Sequence, residues 1–183
     1  VTGSYNQVLW SNGAVTLAST INAPGIYTVA VRSGCTVGID TIIVTAATAT
    51  ITAGSSSVCP GDSTQLVVSG NALSYLWNPS GSTNDSLMVT PASTTTYTVT
   101  AGGSGGCTFT TTSTIIVHPQ PNVGANSSVP AVCDGDSAIL YATGGASYIW
   151  QPGNMSGSSI NVTPSATSTY TVTGTDVNGC VDI

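Results

Sequence analysis

The chain contains no lysine and no glutamate. Its 183 residues carry one arginine (Arg32), one histidine (His118) and seven aspartates, so only 4% are charged. Binding to phosphates needs Lys and Arg to displace counterions, so nucleic acid is not an expected partner. Lys and Glu are good helix formers, and their absence argues against long helices. With no Glu there is no Glu–Asp pair for glycoside hydrolysis. One His makes no zinc cluster, and no glycine loop ends in Lys to cradle a phosphate. His118 lies between Val117 and Pro119, a place for a solvated or packed linker residue rather than a general base. No catalytic residue, cofactor or enzymatic activity is expected. No run of 18 apolar residues exists, so no membrane span is expected, and Val1 does not open a basic-then-apolar signal peptide.

Thr, Val, Ile and Tyr abound, and 40% of residues are hydrophobic. Low charge here accompanies strand propensity rather than disorder. The order Val58-Cys59-Pro60-Gly61-Asp62-Ser63, Tyr75-Leu76-Trp77, Val89-Thr90-Pro91, Thr96-Tyr97-Thr98-Val99 and Gly106-Cys107 returns. It reappears as Val132-Cys133-Asp134-Gly135-Asp136-Ser137, Tyr148-Ile149-Trp150, Val162-Thr163-Pro164, Thr169-Tyr170-Thr171-Val172 and Gly179-Cys180. Landmarks that keep register over such distances identify an internal repeat. Leu9-Trp10, Ile26-Tyr27-Thr28-Val29 and Gly34-Cys35 repeat the second half of the pattern.

Three domains are therefore expected: residues 1–45 as the C-terminal half of a repeat, 46–120 as a complete one, and 121–183 as one lacking its last strand. The chain reads as a stretch of a longer array. In the complete unit, alternation predicts strands over 49–53, 64–69, 74–78, 86–90, 95–101 and 109–117. Short strands between Gly, Pro and Asn turns predict an all-β fold of tandem immunoglobulin-like antiparallel sandwiches. Trp77 and Tyr97 would then be core residues. Pro119 and Pro121 predict an extended spacer between the second and third units, and the array is expected to be rod-like.

Five cysteines at corresponding positions point to disulfides in an oxidising compartment. One pairing joins Cys59 to Cys107 and Cys133 to Cys180 inside each unit. The other, preferred, joins Cys59 to Cys180 across the junction. In such a sandwich the turn bearing Cys59 and the turn bearing Cys107 lie at opposite ends, beyond the roughly 7 Å that a disulfide tolerates. In this second pairing Cys107 would bond the missing half of the first unit, and Cys35 and Cys133 units beyond the chain.

The quoted motifs, with Asp176-Val177-Asn178-Gly179-Cys180, resemble the tandem Ig-like (PKD-like) repeats of Bacteroidota cell-surface proteins. The resemblance covers the whole chain. It implies export by the type IX route and a place among gliding-motility adhesins or surface filaments. Asp40-Thr41, Asp62-Ser63, Asp85-Ser86 and Asp136-Ser137 resemble the O-glycosylation signal of such proteins, implying glycans on Thr41, Ser63, Ser86 and Ser137. Ordinary turn chemistry explains the same pairs. Asn84, Asn126, Asn154 and Asn161 fit the N-linked sequon, a match expected by chance in a chain this rich in Asn, Ser and Thr. Asp134 and Asp136, with Asp176 or Asp182 of a neighbouring unit, are calcium candidates, although Gly135 between them marks a plain turn. Tyr5, Tyr75 and Trp77 could form a sugar-stacking platform, but Trp77 recurs at an inward position, which favours core packing. The expected function is structural: a disulfide-reinforced extracellular stalk, filament or adhesin. Its partners would be neighbouring repeats, further copies or surface glycans. The alternative is a carbohydrate-binding or spacer module of a large secreted enzyme.

Overall fold

The computed structural model describes residues 7–183. Seventeen strands follow in order. They are β1 (Gln7–Trp10), β2 (Gly25–Ser33), β3 (Thr36–Val44), β4 (Ala49–Ala53), β5 (Ser57–Val58), β6 (Thr64–Gly70), β7 (Ser74–Asn78), β8 (Ser86–Val89) and β9 (Thr95–Gly102). Then come β10 (Thr108–Val117), β11 (Gly124–Ser127), β12 (Ala138–Thr143), β13 (Ser147–Gln151), β14 (Met155–Ser156), β15 (Ser159–Val162), β16 (Thr171–Thr175) and β17 (Val181–Asp182). A three-residue 3-10 turn over Ser104–Gly106 is the only helical element among the described residues.

Alternation along each strand decides which face is buried. In β6, Thr64, Leu66 and Val68 point inward and Gln65 and Val67 outward. In β9, Tyr97, Val99 and Ala101 do the same. The second unit thereby closes two sheets on one core. One has the order β4-β6-β8 and the other β5-β10-β9-β7. Leu66, Val68 and Val89 of the first meet Trp77, Tyr97, Val99 and Ile115 of the second. This is an immunoglobulin-like sandwich. Trp77 is 1% exposed, and its indole N–H donates to the Asn84 carbonyl at 2.8 Å, so its one polar atom stays satisfied inside the core. Burial also pushes the Tyr97 phenol above its ordinary value.

The third unit repeats the plan with sheets β11-β12-β15 and β14-β13-β16-β17. Leu140, Trp150, Ile160, Val162 and Val172 form its core, and the Trp150 indole N–H donates to Gly157. Expected without a last strand, this unit carries the first two residues of one as β17. The first unit is a single antiparallel sheet, β1-β2-β3, burying Val8, Trp10 and Val29. Its outer positions Ile26, Ile39 and Ile43 lie in the open.

Two glycines fix how the second and third units begin. Gly70 closes β6 and Gly144 follows β12, both with positive φ. A Cβ on Gly70 would collide with the Thr48 carbonyl, and one on Gly144 with the Asn122 carbonyl. Only a hydrogen side chain lets the incoming chain lie this close.

Candidate functional site at the unit junction

The feature that ties the units together is built from two turns. The first follows β5: the Asp62 N–H donates to the Cys59 carbonyl at 3.1 Å, and Gly61 takes φ +89°. This presents Cys59 at the end of the second unit that faces the third. The second turn runs from Asp176 to Cys180. The Asp176 carboxylate accepts the backbone N–H of Asn178 at 2.8 Å and that of Cys180 at 2.8 Å. The Asp176 N–H donates to the Cys180 carbonyl at 2.9 Å. Partial desolvation pushes the Asp176 carboxyl up. The Cys180 N–H, the two Asn178 groups and the charge of His118 outweigh it and hold the carboxyl below the usual carboxylate range.

Between these turns the structure joins Cys59 to Cys180, with Cα atoms 5.4 Å apart. Cys180 is 1% exposed. Hydrogen bonds flank the bridge. The Gln120 side-chain amide donates to the Val181 carbonyl and to the Asp182 carboxylate, each at 3.3 Å. The Val123 N–H donates to the other Asp182 oxygen at 3.1 Å. His118 ties the linker back to the second unit through its N–H, 3.0 Å from the Val58 carbonyl. The Pro-rich connection is thus held from both sides.

The other three cysteines are free and exposed. Cys133 occupies the same turn as Cys59, with the Asp136 N–H donating to its carbonyl at 3.0 Å. Cys107 occupies the turn of Cys180: the Gly103 N–H donates to its carbonyl at 2.8 Å. Gly103 is flanked by the Cys107 sulfur and the Ala47 methyl, so Cys107 sits against the connection from the first unit. Cys35 lies between β2 and β3, at the corresponding place in the first unit, but in a two-residue turn between the paired Ser33 and Thr36. Val58 pairs with Val117 and Thr108 with Gly102. Cys59 and Cys107 therefore flank opposite ends of β10, about 30 Å apart at the usual strand rise.

Thr41, Ser63 and Ser137 are exposed and Ser86 is half-buried; the Ser63 hydroxyl shares a 2.8 Å hydrogen bond with Thr90. Asn84, Asn126, Asn154 and Asn161 are exposed. Asp134 and Asp136 are exposed. Among the described residues no three His, Cys, Asp or Glu side chains gather to hold a metal. Asp176 and Asp182 are engaged in the turn and the junction instead. Trp77 is inside and Tyr75 half-buried; Tyr5 lies outside the described residues. No described helix is long and apolar enough to cross a membrane. The sequence does not mark Gln120 or the Asp182–Val123 contact, because the partners lie 62 and 59 residues apart and meet only once the third unit has folded.

No protein-family model and no curated protein matches this sequence. Solved structures that it is similar to include murine CEACAM1b, at 13% identity and a TM-score of 0.37 over 71% of this chain and 93% of that one. A segment of titin gives 14% identity and a TM-score of 0.37 over 96% and 84%. A Ca2+-stabilized adhesin that helps an Antarctic bacterium bind ice gives 15% and 0.42 over 98% and 63%. The immunoglobulin-like assignment itself comes from this chain's own strand order.

Proposed function

We propose that this chain is a non-enzymatic structural segment of an extracellular fibre, a stalk, filament or adhesin, in which immunoglobulin-like units are joined covalently end to end. The observation that carries the reading is the Cys59–Cys180 bridge, which lies between units and not within one. Disulfides persist outside the reducing cytoplasm. A bridge placed at a junction fixes one unit on the next, which a scaffold needs and an isolated domain does not. Cys133 and the pair Cys35 and Cys107 stand at the two equivalent places. Each is half of a further staple, so the same clamp repeats along the array, whose units meet near residues 45 and 120. Neighbouring units contacting only one another allow length without a new fold.

The motif resemblance to Bacteroidota surface proteins supports export by the type IX route and a role in surface adhesion or gliding. The accessible Thr41, Ser63 and Ser137, with the half-buried Ser86, support O-glycosylation; sugars would solvate a surface almost without charge.

Immunogold electron microscopy of intact producing cells tests the placement. Label on external fibres is expected, and label seen only after lysis overturns it. Non-reducing peptide mapping of native material tests the staple: a Cys59–Cys180 peptide is expected, and Cys59 recovered with Cys107 refutes it. Added hexose in the intact mass is the expected sign of glycosylation.

A further inference from the structure

The two cysteines of the junction bridge line one small cleft, of about 120 Å³, together with Pro60, Asp62 and Gln120. They are not equally open to it. Cys180 is 1% exposed, and its turn is pinned by Asp176, which meets both its N–H and its carbonyl. Cys59 is half-buried, and Pro60, Gly61 and Asp62 after it are all exposed.

A disulfide opens when a thiolate attacks one of its sulfurs, and the choice of sulfur follows from the leaving thiol and from access. Charge does not separate these two leaving groups. Asp62 borders the cleft beside Cys59, while Asp176, with His118 set against it, and Asp182 stand near Cys180 in the chain. Either thiolate would depart among carboxylates. Access does separate them. An attack on Cys180 must wait for its turn to open, whereas one on Cys59 comes through the cleft.

We propose that the junction is a one-sided redox latch, opened by a small thiol at Cys59 and closed again by the same two cysteines. A thiolate bonds to the Cys59 sulfur as the Cys59–Cys180 bond breaks. The electron pair leaves with Cys180, which takes a proton from water. A second thiolate attacks the reductant's own sulfur in the mixed disulfide and displaces Cys59, so two thiols are oxidised to a disulfide and one bridge is reduced to two thiols. A small disulfide runs the same steps in reverse. Closure finds the same pair because each turn is held by its own hydrogen bonds, from Asp62 to the Cys59 carbonyl and from Asp176 around Cys180. No free thiol lies nearer. Cys107 is about 30 Å from Cys59 at the usual strand rise, and Cys133, in the turn equivalent to that of Cys59, stands as far from Cys180. The inference rests on the bridge that carries the proposed staple and does not need the fibre.

The test uses the folded native chain, with Cys35, Cys107 and Cys133 first blocked by N-ethylmaleimide. Mercaptoethanol is added, the reaction is stopped early with excess iodoacetamide, and the peptides are mapped. A mercaptoethanol adduct on Cys59 with iodoacetamide on Cys180 is expected to exceed the opposite arrangement by about tenfold or more, since the buried sulfur reacts only through local opening. In urea the two arrangements are expected in comparable amounts. An even split in the folded chain, an excess of adduct on Cys180, or no adduct where the unfolded chain gives one overturns the proposal. A second arm reduces the unblocked chain and returns it to oxidised mercaptoethanol. The Cys59–Cys180 peptide is expected, and pairs with Cys107 or Cys133 overturn the closing step. Native chain lacking the Cys59–Cys180 peptide before any thiol is added refutes the staple reading and this inference with it, a failure distinct from the others.

Discussion

A single hydrogen atom decides whether two of these units can begin. Gly70 and Gly144 each face a carbonyl of the incoming chain and take positive φ, so Gly70→Ala and Gly144→Ala are each expected to lower stability by roughly 1–3 kcal/mol. Urea titration of the variants measures it. The sequence held the signal, a glycine recurring at the repeat spacing, but composition rich in glycine concealed which of 21 glycines was constrained. Asp176 carries a second prediction. Its carboxyl sits below the ordinary 3.8 in the folded chain, so on acidification the unfolded chain takes up the proton first. The associated stability is therefore present above that value and lost as pH falls through the lower folded-state value. Thermal melts between pH 6 and pH 2, each figure an approximate bracket around ordinary carboxylate titration, should fall more steeply for the native chain than for Asp176→Asn.

At the scale of elements, strand after strand was legible because alternation is a local property. Residues 49–53 and 74–78 are strands with the expected bounds, and the expected 64–69, 86–90, 95–101 and 109–117 differ from β6, β8, β9 and β10 by a residue at an end. The two-residue β5 and β14 were not legible, since Ser57–Val58 and Met155–Ser156 are too short to show a period. They exist only because a partner strand lies beside them. β10 shows how sharply one face matters. Ile115 is buried and its neighbour Ile116 is 48% exposed. Ile115→Ala is expected to cost about 2–5 kcal/mol and Ile116→Ala no more than about 0.5 kcal/mol, a contrast that equilibrium denaturation of the two variants reads directly. Phrased chemically, these two isoleucines are the same residue. The pleat makes one structural.

For the molecule as a whole, the repeat told how many units to expect and which residues would fill each core, but a junction is made by two distant turns, and no periodicity reports that. Opposite ends of a sandwich were inferable from strand length, whereas the contacts of Asp182 with Gln120 and Val123 appear only when the third unit folds onto the connection that leads into it. Removing the bridge by Cys59→Ser with Cys180→Ser is expected to lower the stability of the junction by about 2–4 kcal/mol. Limited proteolysis at the 118–122 connection, faster in the double variant than in the native chain, would register it. Unchanged cleavage would mean that hydrogen bonds alone hold the joint.

The bridge also dictates where a pull would travel. A force applied at the two ends passes from Cys59 straight to Cys180, so the stretch between them, a separation of 121 residues, is shunted out of the path. Most of the second unit and nearly all of the third would bear none of it. Those residues form a reserve of about 400 Å of contour at full extension, released only by a reductant, so a pulling trace in oxidising buffer should be short and one in dithiothreitol longer by that amount.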